Sequence, residues 1–257
     1  MKNKYIVLTI FYLLVLIIIS YYISNNLYGI TNDIIDTIQY FNCSLDFQDG
    51  YNVLSLIYTM LPTLIAFSFS YDDISTEINK NSVYILNRTS NRKKWLLSKY
   101  FKCFFKTIII NIIIIFLNIL VFYILGFHIH NLMATLTIIL KILSLNILVQ
   151  YTLIILSNVI GLLYNSIMGY FISVSSYTLS LCIFYTNYFY NKTFVIYLPF
   201  TQNLIGIQDL NELNRKIGLL NYFKNGYWTV YAVLISFIYL FPVLYVGIRV
   251  IKSKEFY

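Results

Sequence analysis

Six apolar runs, each long enough to cross a lipid bilayer, constrain the fold of this chain more than any other feature. They cover residues 5–23, 53–69, 107–127, 134–163, 166–186 and 228–250. A transmembrane helix needs about 20 predominantly apolar residues. Only 11% of the residues are charged, against about 25% in a typical soluble domain. The charged residues are too few to cover the surface of a soluble domain. We therefore expect an all-α membrane protein, a single domain over residues 1–257 with six transmembrane helices.

Basic residues are distributed unevenly among the segments that connect these runs. If the N-terminus is cytoplasmic, 13 of the 18 Lys and Arg residues lie on the cytoplasmic side and four lie in the outer segment 187–227. The remaining one, Lys141, lies within the fourth run. Because cytoplasmic loops carry an excess of Lys and Arg, we expect both termini in the cytoplasm. Membrane topology then explains the net charge of +8, and no nucleic-acid partner is expected.

Small and polar side chains form stripes on several of the predicted spans. Small residues in the fifth span recur at intervals of three and four, which places them on one helical face: Ser166, Gly169, Ser173, Ser176 and Ser180. Four amides in the third and fourth spans should face protein or water rather than lipid: Asn111, Asn118, Asn146 and Gln150. Small stripes allow close helix packing. For the small residues, packing within the chain, a subunit interface and a substrate path are open. For the amides, hydrogen bonding between helices and a translocation pathway are open.

The connection between the second and third runs, residues 70–106, is too polar to cross a membrane, yet its residue types follow a definite order. Acidic residues come first, then a short apolar segment, then a basic cluster that leads into Trp95. This order predicts a short apolar-faced helix in the cytoplasm. An amphipathic helix at the membrane surface would follow, anchored by Lys94, Trp95 and Lys99. The alternative is an ordinary positively charged loop that only fixes the topology.

Within this connection, several residues and pairs stand in a recognisable order: Glu77, Asn81-Ser82, Ile85-Leu86, Arg88-Thr89, Arg92, Leu96-Leu97 and Ser98-Lys99. The order resembles that of the permease subunits of type-2 ABC exporters. Asn81, Thr89 and Ser98 stand where that family usually has Gly, Pro and Gly. In outline the resemblance covers the whole chain: six spans, cytoplasmic termini, a short third-to-fourth turn and a long outer segment before the last span.

The resemblance implies a docking surface for a separate ABC ATP-binding subunit, made of Glu77, Ser82, Ile85, Leu86, Arg88 and Arg92. It implies two permeases, identical or related, on an ATPase dimer that binds ATP and Mg²⁺. This chain has no G-x-x-x-x-G-K-[ST] phosphate loop, so no enzyme activity of its own is expected. The chain resembles compact permeases that export antimicrobial peptides or confer bacteriocin immunity. The implied cargo is such a peptide or another amphipathic compound, and the implied location is the bacterial cytoplasmic membrane.

Two other classes of function were weighed against export. An intramembrane enzyme needs paired ionisable groups within the bilayer, whereas Lys141 is the one clear charge inside a predicted span. His128 and His130 have no carboxylate nearby in sequence, so no metal site is expected. The alternative that stays open is a small-molecule-binding membrane subunit of an importer, or a sensor or assembly protein that transports nothing.

Overall fold

The computed structural model describes residues 2–27, 32–43, 53–78, 92–188, 197–204 and 229–253. Within these ranges the chain is helical and contains no strands, which confirms the predicted all-α class. The helices of ten or more residues are α1 (Lys2–Leu27), α2 (Ile34–Cys43), α3 (Val53–Ser68), α4 (Arg92–Ile124), α5 (Leu132–Leu163), α6 (Ser166–Tyr188) and α7 (Thr229–Ser253). A short helical segment, residues 73–78, follows α3 after a turn.

Four helices of the described ranges are long and apolar enough to cross a membrane: α4, α5, the Ser166–Phe184 part of α6, and α7. With 33 residues, α4 is about 50 Å long, whereas the hydrocarbon core of a bilayer is about 30 Å thick. Part of α4 must therefore lie outside the hydrocarbon. That part includes the start of the helix, because every basic residue of α4 lies within residues 92–106.

The predicted amphipathic helix and the predicted third span are one continuous helix in the structure. No break separates residues 92–106 from the apolar run that begins at Thr107. The first and second predicted spans coincide with α1 and α3. Because α3 has only 16 residues and α1 is not among these four helices, a total of six spans stays a prediction.

The chain divides into two compact units. The first contains residues 1–65, 111–146 and 202–232, and the second contains residues 66–110, 147–201 and 233–257. In the first unit, α2 forms within a polar stretch that lies between predicted spans. The Asp33 side chain accepts a hydrogen bond from Ile35 N at 3.1 Å, as is typical of a residue preceding a helix. Ile34 N donates to His128 O at 3.0 Å, which joins α2 to the turn between α4 and α5.

In the second unit, glycines allow helices to approach closely. Gly169 of α6 lies against the backbone of α5, where a Cβ atom would collide with the carbonyl oxygen of Ser157. Gly247 of α7 leaves no room for a Cβ beside the side chains of Tyr100 and Val159. Small residues at such contacts are a general feature of helix packing in membranes. Because Ser157 presents backbone to Gly169, that contact cannot relax by a rotamer change.

We expect Gly169→Ala to destabilise the purified protein in detergent by about 1–2 kcal/mol, because overpacking outweighs the gain in helix propensity. Thermal unfolding followed by size-exclusion chromatography measures this change. Ser175→Thr is the matched control, since it adds one methyl group to an exposed position of the same helix. A Gly169→Ala protein at least as stable as the wild type would contradict the close contact.

Candidate functional site

The docking residues predicted from the sequence are only partly within the described structure. Glu77 and Arg92 are described, whereas Ser82, Ile85, Leu86 and Arg88 lie outside the described residues. These four residues fall in the interval 79–91. The structure describes both flanks of this interval, which are residues 69–78 and the start of α4. Both flanks belong to the second unit. We call residues 69–78 the anchored segment.

A single side chain of α5, Asn158, binds the backbone of the anchored segment. Its Oδ1 accepts hydrogen bonds from Ile74 N at 2.8 Å and Ser75 N at 3.2 Å. Its Nδ2 donates to Ser70 O at 3.1 Å and to Ile154 O of its own helix at 2.8 Å. The first N–H groups of any helix lack partners within it. Asn158, which is fully buried, therefore acts as a helix cap supplied by another helix.

Two neighbours of Asn158 on α5 complete this support. The hydroxyl of Ser157 donates to Tyr71 O at 3.0 Å. A Cβ on Gly161 would lie 2.9 Å from the Cβ and Oγ atoms of Ser75, so the anchored segment packs directly on the backbone of α5. The segment is consequently held by hydrogen bonds to its backbone and by close contact, both from one turn of α5.

Two ion pairs join the anchored segment to α4. Glu77 pairs with Lys99, and the Asp73 carboxylate lies 2.7 Å from Lys106 Nζ. Lys106 Nζ also donates to Phe69 O at 2.6 Å. Residues four apart lie on one helical face, as do those seven apart, so each helix presents its two charges together. The order of pairing is reversed between them, which shows that residues 73–78 run antiparallel to the start of α4.

Apolar burial accompanies these polar contacts. Ile74 and Ile78, one turn apart, are fully buried. The buried residues of the first part of α4 follow helical spacing: Leu96, Tyr100, Cys103 and Thr107. A buried aliphatic side chain contributes about 1.5–3 kcal/mol, whereas a partly exposed ion pair contributes at most about 1 kcal/mol. Burial therefore stabilises the anchored segment, and the ion pairs set its direction.

The thiol of Cys103 is buried and interacts with the charges of both ion pairs. Burial raises its pKa to about 12, and the Asp73 carboxylate raises it as well, whereas Lys106 and Lys99 lower it. Cys103 precedes the apolar run 107–127. A thiol with this pKa is protonated at neutral pH and is not a nucleophile.

The three residues predicted to anchor α4 at the membrane surface have different environments. Lys99, besides its pairing with Glu77, places its ammonium 5.5 Å from the centre of the Trp95 ring. Trp95 is half-buried, and Lys94 is exposed. Lys99 is thus directed at the protein.

The small residues of the predicted stripe on α6 differ in how deeply they are buried in the protein. Gly169, Ser173 and Ser180 are buried, and Ser166 and Ser176 are half-buried. Ser180 Oγ donates to Ser176 O of the preceding turn at 2.8 Å. At Gly169 this face packs on α5, so contact between helices accounts for at least part of the stripe.

The four predicted amides are all buried within the protein: Asn111, Asn118, Asn146 and Gln150. In the first unit, Asn146 Oδ1 accepts a hydrogen bond at 3.1 Å from Asn203, which also contacts Thr63 Oγ1 at 3.4 Å. Asn203 Oδ1 is buried and has no hydrogen-bond partner in the part of the chain that the structure describes. Thr63, Asn146 and Asn203 form what we call the buried amide cluster.

Sequence reasoning assigned no role to Asn158 or Asn203. The signal for Asn158 was its place in an apolar run, where an amide requires a partner. Asn203 lies in a longer polar segment, where an asparagine carries no such signal. Its flanking apolar residues, Phe200 and Leu204, are the only hint of burial in the sequence.

We expect Asn158→Ala to accelerate hydrogen exchange at the amides of Ile74 and Ser75 at least tenfold. The variant removes their acceptor, and an unsatisfied buried group costs about 1–3 kcal/mol. Exchange of the peptide covering residues 70–78, followed by mass spectrometry in lipid nanodiscs, measures the effect. Asn146→Ala is the control and should leave this peptide unchanged. Equal exchange in wild-type and Asn158→Ala proteins would show that Asn158 does not cap the segment.

The groups at this site interact by ion pairing and hydrogen bonding. Its two carboxylates are paired with lysines, and no group of three or more metal-binding side chains occurs among the described residues. What the site offers is a short segment bonded to two long helices at once. The chain matches none of the protein-family models, curated proteins or solved structures with which it was compared.

Proposed function

We propose that this chain is the permease subunit of an ATP-driven ABC exporter, and that residues 70–106 dock on a separate ATP-binding subunit. One observation carries the proposal. Residues 79–91 connect the end of the anchored segment to Arg92, the first residue of α4. The Glu77–Lys99 ion pair joins these two flanks of the interval. A loop that only fixed topology would need no such connection between its flanks.

The contacts of the anchored segment provide a route from a docked partner to the membrane helices. A displacement of residues 79–91 would move the anchored segment, which is bonded to α5 through Asn158 and to α4 through its two ion pairs. Because packed helices shift between discrete arrangements, such a displacement can rearrange the spans. ATP and Mg²⁺ would bind in the partner subunit and drive the movement.

The docking residues divide by chemistry under this proposal. Ile85 and Leu86 supply an apolar contact to the partner, and Ser82, Arg88 and Arg92 supply polar ones. The Glu77 carboxylate is paired with Lys99, so in this proposal Glu77 orients the docking element and does not itself bind the partner.

The remaining features of the proposal concern the assembly and its cargo. Six spans, with α1 and α3 completing the set, and two cytoplasmic termini agree with the distribution of basic residues. Two permeases, identical or related, would enclose the path in the bacterial cytoplasmic membrane. The proposed cargo class is an antimicrobial peptide or another amphipathic compound.

The direct test is recovery of an ATP-binding subunit with the tagged protein from its own host. We expect the wild type to bring down a protein that contains a phosphate loop. Ile85→Ala combined with Leu86→Ala should reduce recovery at least tenfold, because each buried side chain contributes about 1.5–3 kcal/mol. Quantitative mass spectrometry of the eluate measures recovery.

The matched control combines Leu136→Ala with Leu140→Ala, which removes two exposed aliphatic side chains of α5. This variant should recover the partner as the wild type does. If the wild type brings down no ATP-binding subunit, or the Ile85 and Leu86 variant brings down as much as the control, the proposal fails.

A charge exchange tests the role given to Glu77. Glu77→Lys and Lys99→Glu should each lower recovery of the ATP-binding subunit, because each brings like charges together and reorients the docking element. The double variant restores the pair with reversed polarity and should restore recovery to at least half of the wild-type amount. If the double variant stays as low as Glu77→Lys alone, Glu77 contacts the partner directly.

The alternative, a membrane subunit that binds a small molecule, is favoured by one observation. The buried amide cluster contains an acceptor, Asn203 Oδ1, without a hydrogen-bond partner in the described part of the chain. A ligand with a hydrogen-bond donor could satisfy it. Stabilisation of the purified protein by a small molecule, lost in Asn203→Ala, would favour that alternative. Peptide sensitivity of a deletion strain would favour the exporter.

A further inference from the structure

The outward face of the first part of α4 carries a stripe of exposed lysine and phenylalanine side chains. Its members follow helical spacing: Lys94, Ser98, Phe101, Lys102 and Phe105. Phe101 and Phe105 are 63% and 60% exposed. The buried face and the ion pairs described above occupy the other sides of the helix.

The stripe continues along α4 with residue types that change in a regular order. Beyond Phe105 the exposed residues on this side of the helix include Ile109, Ile112 and Phe116. Aliphatic side chains face the hydrocarbon of a bilayer, aromatic rings gather near its interface, and lysines extend their ammonium groups to the headgroups. The order therefore places Lys102, between the two exposed rings, at the depth of the lipid headgroups.

Lys102 differs in its environment from the two lysines nearest to it on the helix. Its neighbours on the helix, Lys99 and Lys106, are paired with the carboxylates of Glu77 and Asp73. Lys102 has no carboxylate partner among the residues that the structure describes, and its side chain is exposed. A positive group at headgroup depth, flanked by apolar rings, is complementary to a phosphate attached to acyl chains.

We propose that this face of α4 binds an anionic phospholipid. The Lys102 ammonium contacts the lipid phosphate, and the rings of Phe101 and Phe105 lie along its acyl chains. The lipid belongs to the leaflet nearest the N-terminus of α4. The site selects anionic over zwitterionic lipid, because a choline or ethanolamine headgroup carries a positive charge that offsets its phosphate. Binding here does not require the ATP-binding subunit.

Trp95 reports on this site. It precedes Lys102 by seven residues, so it lies on the same face, about 10 Å away along the helix. The chain has only one other tryptophan, Trp228, so Trp228→Phe leaves Trp95 as the sole indole. The experiment measures quenching of Trp95 fluorescence by energy transfer in vesicles that contain phosphatidylglycerol or phosphatidylcholine with a pyrene-labelled acyl chain, at equal mole fractions.

We expect phosphatidylglycerol to be preferred about fivefold over phosphatidylcholine, because one lysine near an anionic surface contributes about 1 kcal/mol. In the Trp228→Phe background, Lys102→Gln should remove most of this preference. Lys141→Gln, which neutralises a lysine of the first unit, should leave it unchanged. Equal quenching by the two lipids before Lys102 is changed would overturn the proposal. So would a preference that survives Lys102→Gln.

Lys102→Gln alters an exposed side chain and should fold normally. If Trp228→Phe lowers the yield of monodisperse protein, Trp228→Tyr replaces it and the comparison is the same. Phe101→Ala combined with Phe105→Ala provides a second measure. This variant should weaken quenching by both lipids while Lys102 keeps the preference for phosphatidylglycerol. Unchanged quenching in that variant would count against contact between the two rings and the acyl chains.

Discussion

The hydrogen bonds of Asn158 are the interaction on which the described site depends. A helix that starts away from water leaves N–H groups that must find acceptors, since an unpaired buried group costs about 1–3 kcal/mol. Asn158 supplies both an acceptor and a donor to the backbone that leads from α3 into residues 73–78. That backbone can then lie on α5 and bring Asp73 and Glu77 within reach of α4.

Apolar burial and ion pairing contribute differently to the anchored segment. Ile74 and Ile78 provide most of the free energy that holds the segment, because both are fully buried. The ion pairs contribute less, but they define the direction of the segment, since exchanging the two acidic residues along it would separate each from its lysine. Lys99 and Lys106 are therefore directed at the anchored segment, with which they form ion pairs. Lys102 is exposed and available to a lipid.

The first part of α4 therefore presents three faces with different chemistry. One is apolar and buried, one carries the lysines paired with the anchored segment, and one carries exposed lysine and phenylalanine side chains. If the two proposals hold, a docked subunit, the membrane helices and the lipid headgroups all act on the same short stretch of helix. Its height in the membrane would then influence the position of the docking element.

The sequence by itself determined the helical class, because long apolar runs in a bilayer must satisfy their backbone hydrogen bonds internally. It also identified residues that need partners, such as the acidic and basic groups of residues 70–106. Only the tertiary structure decided the pairing: Asn158 binds Ile74 from 84 positions away, and Glu77 chooses Lys99 over five other basic residues of α4. The spacing of residues along a helix shows which side chains share one face. Which other helix packs against that face depends on the tertiary structure, because the two helices can be far apart in sequence.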